Sequence, residues 1–162
     1  MAEGPTVRQT TLFEAEELVR EKLKEGGSVT FSPKGASMLP MLRASGDSVT
    51  LEKPPARLKK GDVALYLSKD ENGQRYLLHR LIRVKDGKLI FQGDNRRFPD
   101  PPAEAGDVIG VVTAYKSRGR ERACSGPGYR LYKNWMLLTS GNRLPAQKLQ
   151  GFFYRIWKRL RG

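Results

Sequence analysis

Two hydrophobic periods divide the chain. Ala15, Leu18, Val19 and Leu23 recur at the three- and four-residue spacing of one helical face. Ahead of them, Thr11-Leu12-Phe13-Glu14 has the form of a capping box, with Thr11 as N-cap and Glu14 at N3. Behind them, Gly26-Gly27 offers a residue that enters the left-handed C′ conformation without steric cost. The pattern predicts an amphipathic helix over 11–25. From Ser28 the period shortens to two. Short β-rich runs are predicted at Ser28–Ser32, Ser48–Glu52, Asp62–Leu67, Tyr76–Val84, Leu89–Gln92 and Val108–Tyr115. Asn72-Gly73 and Asp86-Gly87 are hairpin-turn pairs, since both positions tolerate positive φ. Regular short strands with such turns predict a mainly β, antiparallel core of barrel-like form.

Beyond Tyr115 the two-residue period ends. Ser117–Gly128 is polar and reads as a linker, and Tyr129–Leu138 has the composition of a helix. Leu149, Phe152, Phe153, Ile156, Trp157 and Leu160 then fall on one helical face, with Lys148, Arg155, Lys158, Arg159 and Arg161 around the rest. The expected organisation is an N-terminal helix over 1–27, a β domain over 28–116 and a basic helical tail over 117–162.

Charge sharpens the distinction between body and tail. The 162 residues carry a formal net charge of +13. Residues 1–112 hold 18 Lys and Arg against 16 acidic residues, whereas residues 113–162 hold 12 against one, Glu121. Such a tail is attracted to anionic surfaces. Combined with Phe and Trp on an apolar face, it is the pattern of a helix lying in a membrane interface. An acidic membrane surface is therefore the expected partner; docking on the β core and binding to nucleic acid are the weaker alternatives. One Cys, Cys124, excludes a disulfide framework, and one His, His79, excludes a multi-histidine metal centre. No cofactor or metal is expected. No apolar run approaches the ~20 residues of a membrane span, and the first residues lack the pattern of a signal peptide. A peripheral membrane or cytoplasmic protein is expected.

Three segments carry residues with chemical potential. Gly35-Ala36-Ser37-Met38-Leu39-Pro40-Met41-Leu42 places a Ser between a flexible Gly and large apolar residues around a Pro. A Ser held in such a turn can direct its hydroxyl and its own N–H toward one point, but the hydroxyl needs an adjacent base to act as a nucleophile. In a strand, His79 shares a face with Leu77 and Leu81, as a core histidine or as a recessed general base. Asp94, in Gln92-Gly93-Asp94-Asn95, and Asp100 stand where either can close a local turn or orient the His. The apolar residues Met38, Leu39, Met41 and Leu42 suit either a rim beside Ser37 or the core.

The order of these segments is more specific than any one alone. Gly35-Ala36-Ser37-Met38-Leu39-Pro40 precedes Ser45-Gly46-Asp47-Ser48-Val49 and Lys60-Gly61-Asp62-Val63-Ala64. Leu78-His79-Arg80-Leu81-Ile82 and Gln92-Gly93-Asp94-Asn95-Arg96 follow. The series resembles the type I signal peptidase family and, more widely, the serine peptidases that join it to LexA-like repressors. The resemblance covers roughly residues 29–115. It implies a LexA/signal-peptidase-like β core, Ser37 as nucleophile and His79 as general base where most bacterial members have Lys. His at that position is similar to the endoplasmic-reticulum-type branch. Asp94 and Asp100 lie where that branch has its aspartates, Asp100 being slightly preferred as the partner of His79. The Ser37 N–H would be one oxyanion donor, while Gly35 stands where many members have a Ser that supplies a second. The implied activity is a serine endopeptidase removing a leader or signal segment. The alternatives are a non-catalytic peptide- or membrane-binding module and a self-cleaving LexA-like regulator. The last is disfavoured by the 36 residues before Ser37 and by Ala105-Gly106, a cleavage-like pair that lies after it. A His base implies peptidase activity that falls on the acid side as the ring takes a proton. A pH–rate profile flat across that limb would remove His79 from the base role.

Overall fold

The structure, a computed structural model, describes residues 6–71 and 73–140, with residues 6–14 described as backbone only. The helical pattern predicted over 149–160 lies outside the described residues. Helix α1 (Thr6–Lys24) begins before the predicted cap, so Thr11 is an interior residue. No Gly or Pro interrupts residues 6–24, and the backbone ladder continues past a potential cap unless something breaks it. The C-terminus ends as expected. Gly26 takes φ +84°; its N–H bonds Leu23 O, and the Gly27 N–H bonds Lys22 O. These are the two bonds of a Schellman motif.

Seven strands form one antiparallel sheet: β1 (Val29–Phe31), β2 (Ser48–Glu52), β3 (Val63–Asp70), β4 (Gly73–Lys85), β5 (Lys88–Gln92), β6 (Val108–Ser117) and β7 (Arg120–Ala123). The order is β1-β2-β6-β3-β4-β5, an open path rather than a closed barrel. Strand β6 holds β2 along one edge and β3, then β7, along the other. The β4–β5 hairpin turns at Asp86-Gly87, with φ of 50° and 76°, the type I′ geometry that matches strand twist. The segment expected to be a linker instead contains β7. Arg118-Gly119, at φ 53° and 75°, reverses the chain so that Arg120–Ala123 pairs back on β6. All four β7 residues are exposed, so the strand lacks the apolar alternation that would have marked it. Helix α2 (Gly126–Thr139) follows, with Pro127 in its first turn.

The sheet buries apolar side chains on both faces. Val63 and Leu78 pack with Leu23, Val49, Leu51 and Val112 on one face; Ala64, Tyr66 and Leu81 pack with Phe91 and Val108 on the other. This follows from the two-residue period of β3 and β4. Gly110 admits α1 to the first face: a methyl there would lie 2.9 Å from Leu23 Cδ1. Met38, Met41 and Leu42 belong to that same core, so three of the four residues considered for an apolar rim beside Ser37 instead anchor its loop.

Asp47 ties this loop to the end of β6. It is buried and accepts bonds from the Arg43 N–H at 2.8 Å and Arg43 Nη2 at 3.0 Å. The Ser117 hydroxyl donates at 2.9 Å and the Arg118 N–H at 3.1 Å. The Arg43 side-chain bond, aided by these backbone and hydroxyl donors, outweighs burial and holds the carboxyl well below the usual carboxylate range. Its contribution to stability is therefore present above the unfolded carboxylate value, about pH 4, and is lost as pH falls toward the depressed folded value. Asp47→Asn should lower Tm by a constant amount above about pH 5, with the difference from wild type shrinking below about pH 4. Melting curves across pH test this; a pH-independent difference would mean that the carboxylate charge is not the stabilising feature.

Candidate active site

Strand β4 presents two consecutive polar residues to opposite faces. His79 and Arg80 are 2% and 0% exposed, respectively. Each meets one aspartate of the 93–100 loop. On the face of Tyr66 and Leu81, His79 Nδ1 lies 2.5 Å from Asp100 Oδ2, and the Tyr66 hydroxyl donates to the same oxygen at 2.8 Å. Burial, and then the Asp100 charge, push the Tyr66 phenol far above its ordinary value, so it stays a donor. Tyr66 is itself fixed by stacking on Phe91, with ring centroids 4.2 Å apart. The Asp100 N–H donates to Phe91 O at 2.8 Å. A carboxylate in this position can only accept, so the contact suits the tautomer that carries its proton on Nδ1 and leaves Nε2 as the acceptor.

Nε2 points to Gly93. A methyl on Gly93 would lie 3.0 Å from His79 Nε2 and 2.7 Å from the Ser37 carbonyl oxygen. The imidazole edge and the Ser37 main chain thus flank one small volume that only a glycine leaves open. The Ser37 loop is clamped there by a residue that pattern reasoning passed over. The Asn95 N–H donates to Ser37 O at 2.7 Å, and Asn95 Nδ2 donates to Ala36 O at 3.0 Å. Its signal in the sequence was its place directly after Gly93-Asp94, a turn whose donors had to find acceptors. Ser37 remains partly exposed while Met38 beneath it is buried. Gly35 has φ +92°, a left-handed conformation that a Ser would adopt only with strain. A glycine suits that position for backbone reasons.

Asp94 lies on the other face and does not meet His79. Arg80 holds it in a bidentate pair, Nε to Oδ1 at 2.8 Å and Nη2 to Oδ2 at 2.7 Å. The Tyr132 hydroxyl from α2 donates to Oδ2 at 2.6 Å. Arg80 Nη1 donates to Gly61 O at 2.8 Å and to the Tyr129 hydroxyl at 3.2 Å. Its guanidinium lies 5.4 Å from the Tyr132 ring centre, within cation–π range. Burial opposes the Arg80 charge, but the bonds to Asp94 and its charge prevail and keep the guanidinium protonated. Of the two aspartates considered for His79, then, the structure brings Asp100 to the ring and gives Asp94 to Arg80. Lys60-Gly61-Asp62 supplies a turn acceptor to this network. Among the described residues no cluster of His, Cys, Asp or Glu is built to hold a metal ion. Nor is any helix there long and apolar enough to cross a membrane.

The architecture is a mainly antiparallel β sheet with helices at both ends of the described chain, consistent with a LexA-like β core. Within that class, the chain is similar to the LexA repressors of Frankia casuarinae and Frankia alni. It is 26% identical to each over 117 residues, which is 72% of this chain and 43% and 44% of theirs. The chain thus spans less than half the length of the curated relatives it matches. No protein-family model matches it, and no solved structure does.

The ion-pair assignment gives a stability test. Arg80→Met leaves Asp94 buried and uncompensated and should cost about 3–5 kcal/mol, read by urea unfolding. Arg80→Met combined with Asp94→Leu should recover much of that loss. Additive losses in the double variant would show that the two side chains act independently.

Proposed function

We propose that the protein is a serine endopeptidase of the LexA/signal-peptidase type, with Ser37 as nucleophile, His79 as general base and Asp100 as the residue that orients the ring. One observation carries the reading. A buried imidazole is fixed through Nδ1 by a carboxylate, and its free Nε2 faces the Ser37 loop across Gly93. Packing alone does not require a His–Asp–Tyr chain ending at a Ser turn. In the proposed reaction, Nε2 takes the Ser37 hydroxyl proton as the oxygen attacks the peptide carbonyl carbon. The protonated ring then gives that proton to the leaving amine. Asp100 stabilises the imidazolium, and the Ser37 N–H donates to the developing oxyanion. Water releases the acyl group by the same route. By analogy with the family, the substrate is a leader or signal segment with small residues near the cut.

The similarity to LexA repressors favours a second reading, cleavage of the chain by itself. Ala105-Gly106 is a poor internal site, because it lies in a 3-10 turn whose Gly106 carbonyl accepts a bond from Arg20.

Leader-peptide fusions, followed by mass spectrometry, test the proposal. Ser37→Ala and His79→Ala should each abolish a cut made by wild type. Ser37→Ala should keep Tm within a few degrees of wild type, whereas His79→Ala also leaves buried Asp100 without its partner and should melt lower. Asp100→Asn should lower kcat about 10³–10⁴-fold, because the amide stabilises the wrong tautomer. Retained cleavage in Ser37→Ala would end the peptidase proposal. Shortening of wild type alone, during incubation without substrate, would select self-cleavage.

A further inference from the structure

We propose that the outward face of α2 docks on an acidic lipid bilayer. The inference is independent of the peptidase reading. It concerns a described helix, not the basic pattern at 149–160.

Helix α2 is apolar on two opposite sides. Tyr129, Tyr132 and Met136, at i, i+3 and i+7, face the protein: the two tyrosines bond Arg80 and Asp94, and Met136 is buried. Leu131, Trp135 and Leu138 are also spaced i, i+4, i+7, but they point the other way. They are 74%, 58% and 82% exposed. Isolated exposed apolar residues need no explanation, but a stripe of three on a helix of about 21 Å does. No hydrogen-bonding or packing demand of the described fold places a Trp and two Leu there.

The surroundings identify the occupant. Residues 113–140 hold six basic side chains, Lys116, Arg118, Arg120, Arg122, Arg130 and Lys133, against Glu121. Arg118 and Arg122 border a cavity of about 250 Å³ whose other walls include Gly128, Tyr129 and Tyr132. The β6–β7 hairpin cations Arg118 and Arg122 therefore stand beside the first turns of α2, on the side of Tyr129 and Tyr132. A bilayer with anionic headgroups offers both things this segment presents: hydrocarbon for Leu131 and Leu138, and negative charge for the exposed cations Arg118, Arg120, Arg122 and Arg130 of the same segment, with the Trp135 ring at the boundary. Nucleic acid would satisfy the charge but give the leucines no apolar surface. A second copy of the chain would bury the leucines but set two basic surfaces together. Residues 141–162 carry six basic residues and no acidic one, so they too lack charge complementarity to this face.

The test uses the full chain with vesicles of phosphatidylcholine, with and without phosphatidylglycerol. Co-sedimentation should require phosphatidylglycerol and weaken toward 1 M salt, where the Debye length is about 3 Å. Leu131→Ser with Leu138→Ser should lower partitioning about tenfold or more, with Tm unchanged. In a Trp157→Phe background, the single remaining Trp135 should be accessible to aqueous quencher in solution and become shielded with a blue shift on acidic vesicles. Vesicle binding unaffected by the double Ser variant would overturn the proposal. So would Trp135 already shielded without vesicles, which would place another part of the chain on this face. A concentration-dependent dimer abolished by the same variant, or binding to single-stranded RNA in preference to vesicles, would also overturn it.

Discussion

Strand alternation at one dipeptide organises the candidate site. Because neighbouring residues of β4 face opposite ways, His79 and Arg80 project through the two sides of the sheet, and each captures an aspartate from the same loop. Asp100 is held on the Tyr66 side and Asp94 on the α2 side. The loop between them is thereby secured at both ends, and its first residue, Gly93, is brought against Ser37 O. Neither capture resembles a surface ion pair, which would be worth little. Both occur among buried groups, where an unmatched charge is expensive and geometry is correspondingly strict.

Much of the framework was legible. Six of the seven strands coincide with β-rich runs in the sequence, and β2 matches at both ends. The Asp86-Gly87 turn and the Gly26 helix stop follow from backbone conformations that few residues adopt cheaply. The failures share a cause. The N-cap at Thr11 was locally favourable, but nothing obliged the helix to start there. Strand β7 is held by backbone bonds to β6 and leaves no mark in side-chain periodicity. The preference for Asp100 over Asp94 as the partner of His79, which was not a failure, rested on the resemblance, since the choice depends on the path of the loop from one face of the sheet to the other. Spacing along the chain carries no such information, whereas opposed faces of β4 decide it.

The segment around Ser37 shows how an apparent functional pattern and a packing pattern can coincide. Its Met and Leu residues were open to two uses. Burial of Met38, Met41 and Leu42 makes them the base of a rigid platform, with Asn95 holding the top through two main-chain carbonyls. Such a loop gains its precision from the core below it and the clamp above it. Helix α2, in the basic C-terminal part, is likewise not a mere appendage. Through Tyr129 and Tyr132 it supplies two phenols to the Arg80–Asp94 pair, so α2 completes the fold that the strands begin.

The double anchorage of the 93–100 loop also limits how the chain can vary. A surface loop tied at one end absorbs an inserted residue by bulging into solvent. Here the path from Asp94 to Asp100 must pass from one face of the sheet to the other and arrive with both carboxylates in contact. Its length is therefore matched to the thickness of a β sheet, like a strap cut to a beam. Changes of identity at exposed positions such as Phe98 are compatible with that path. Changes of length are not, and tags, insertions or new termini belong instead in the exposed stretch 55–57.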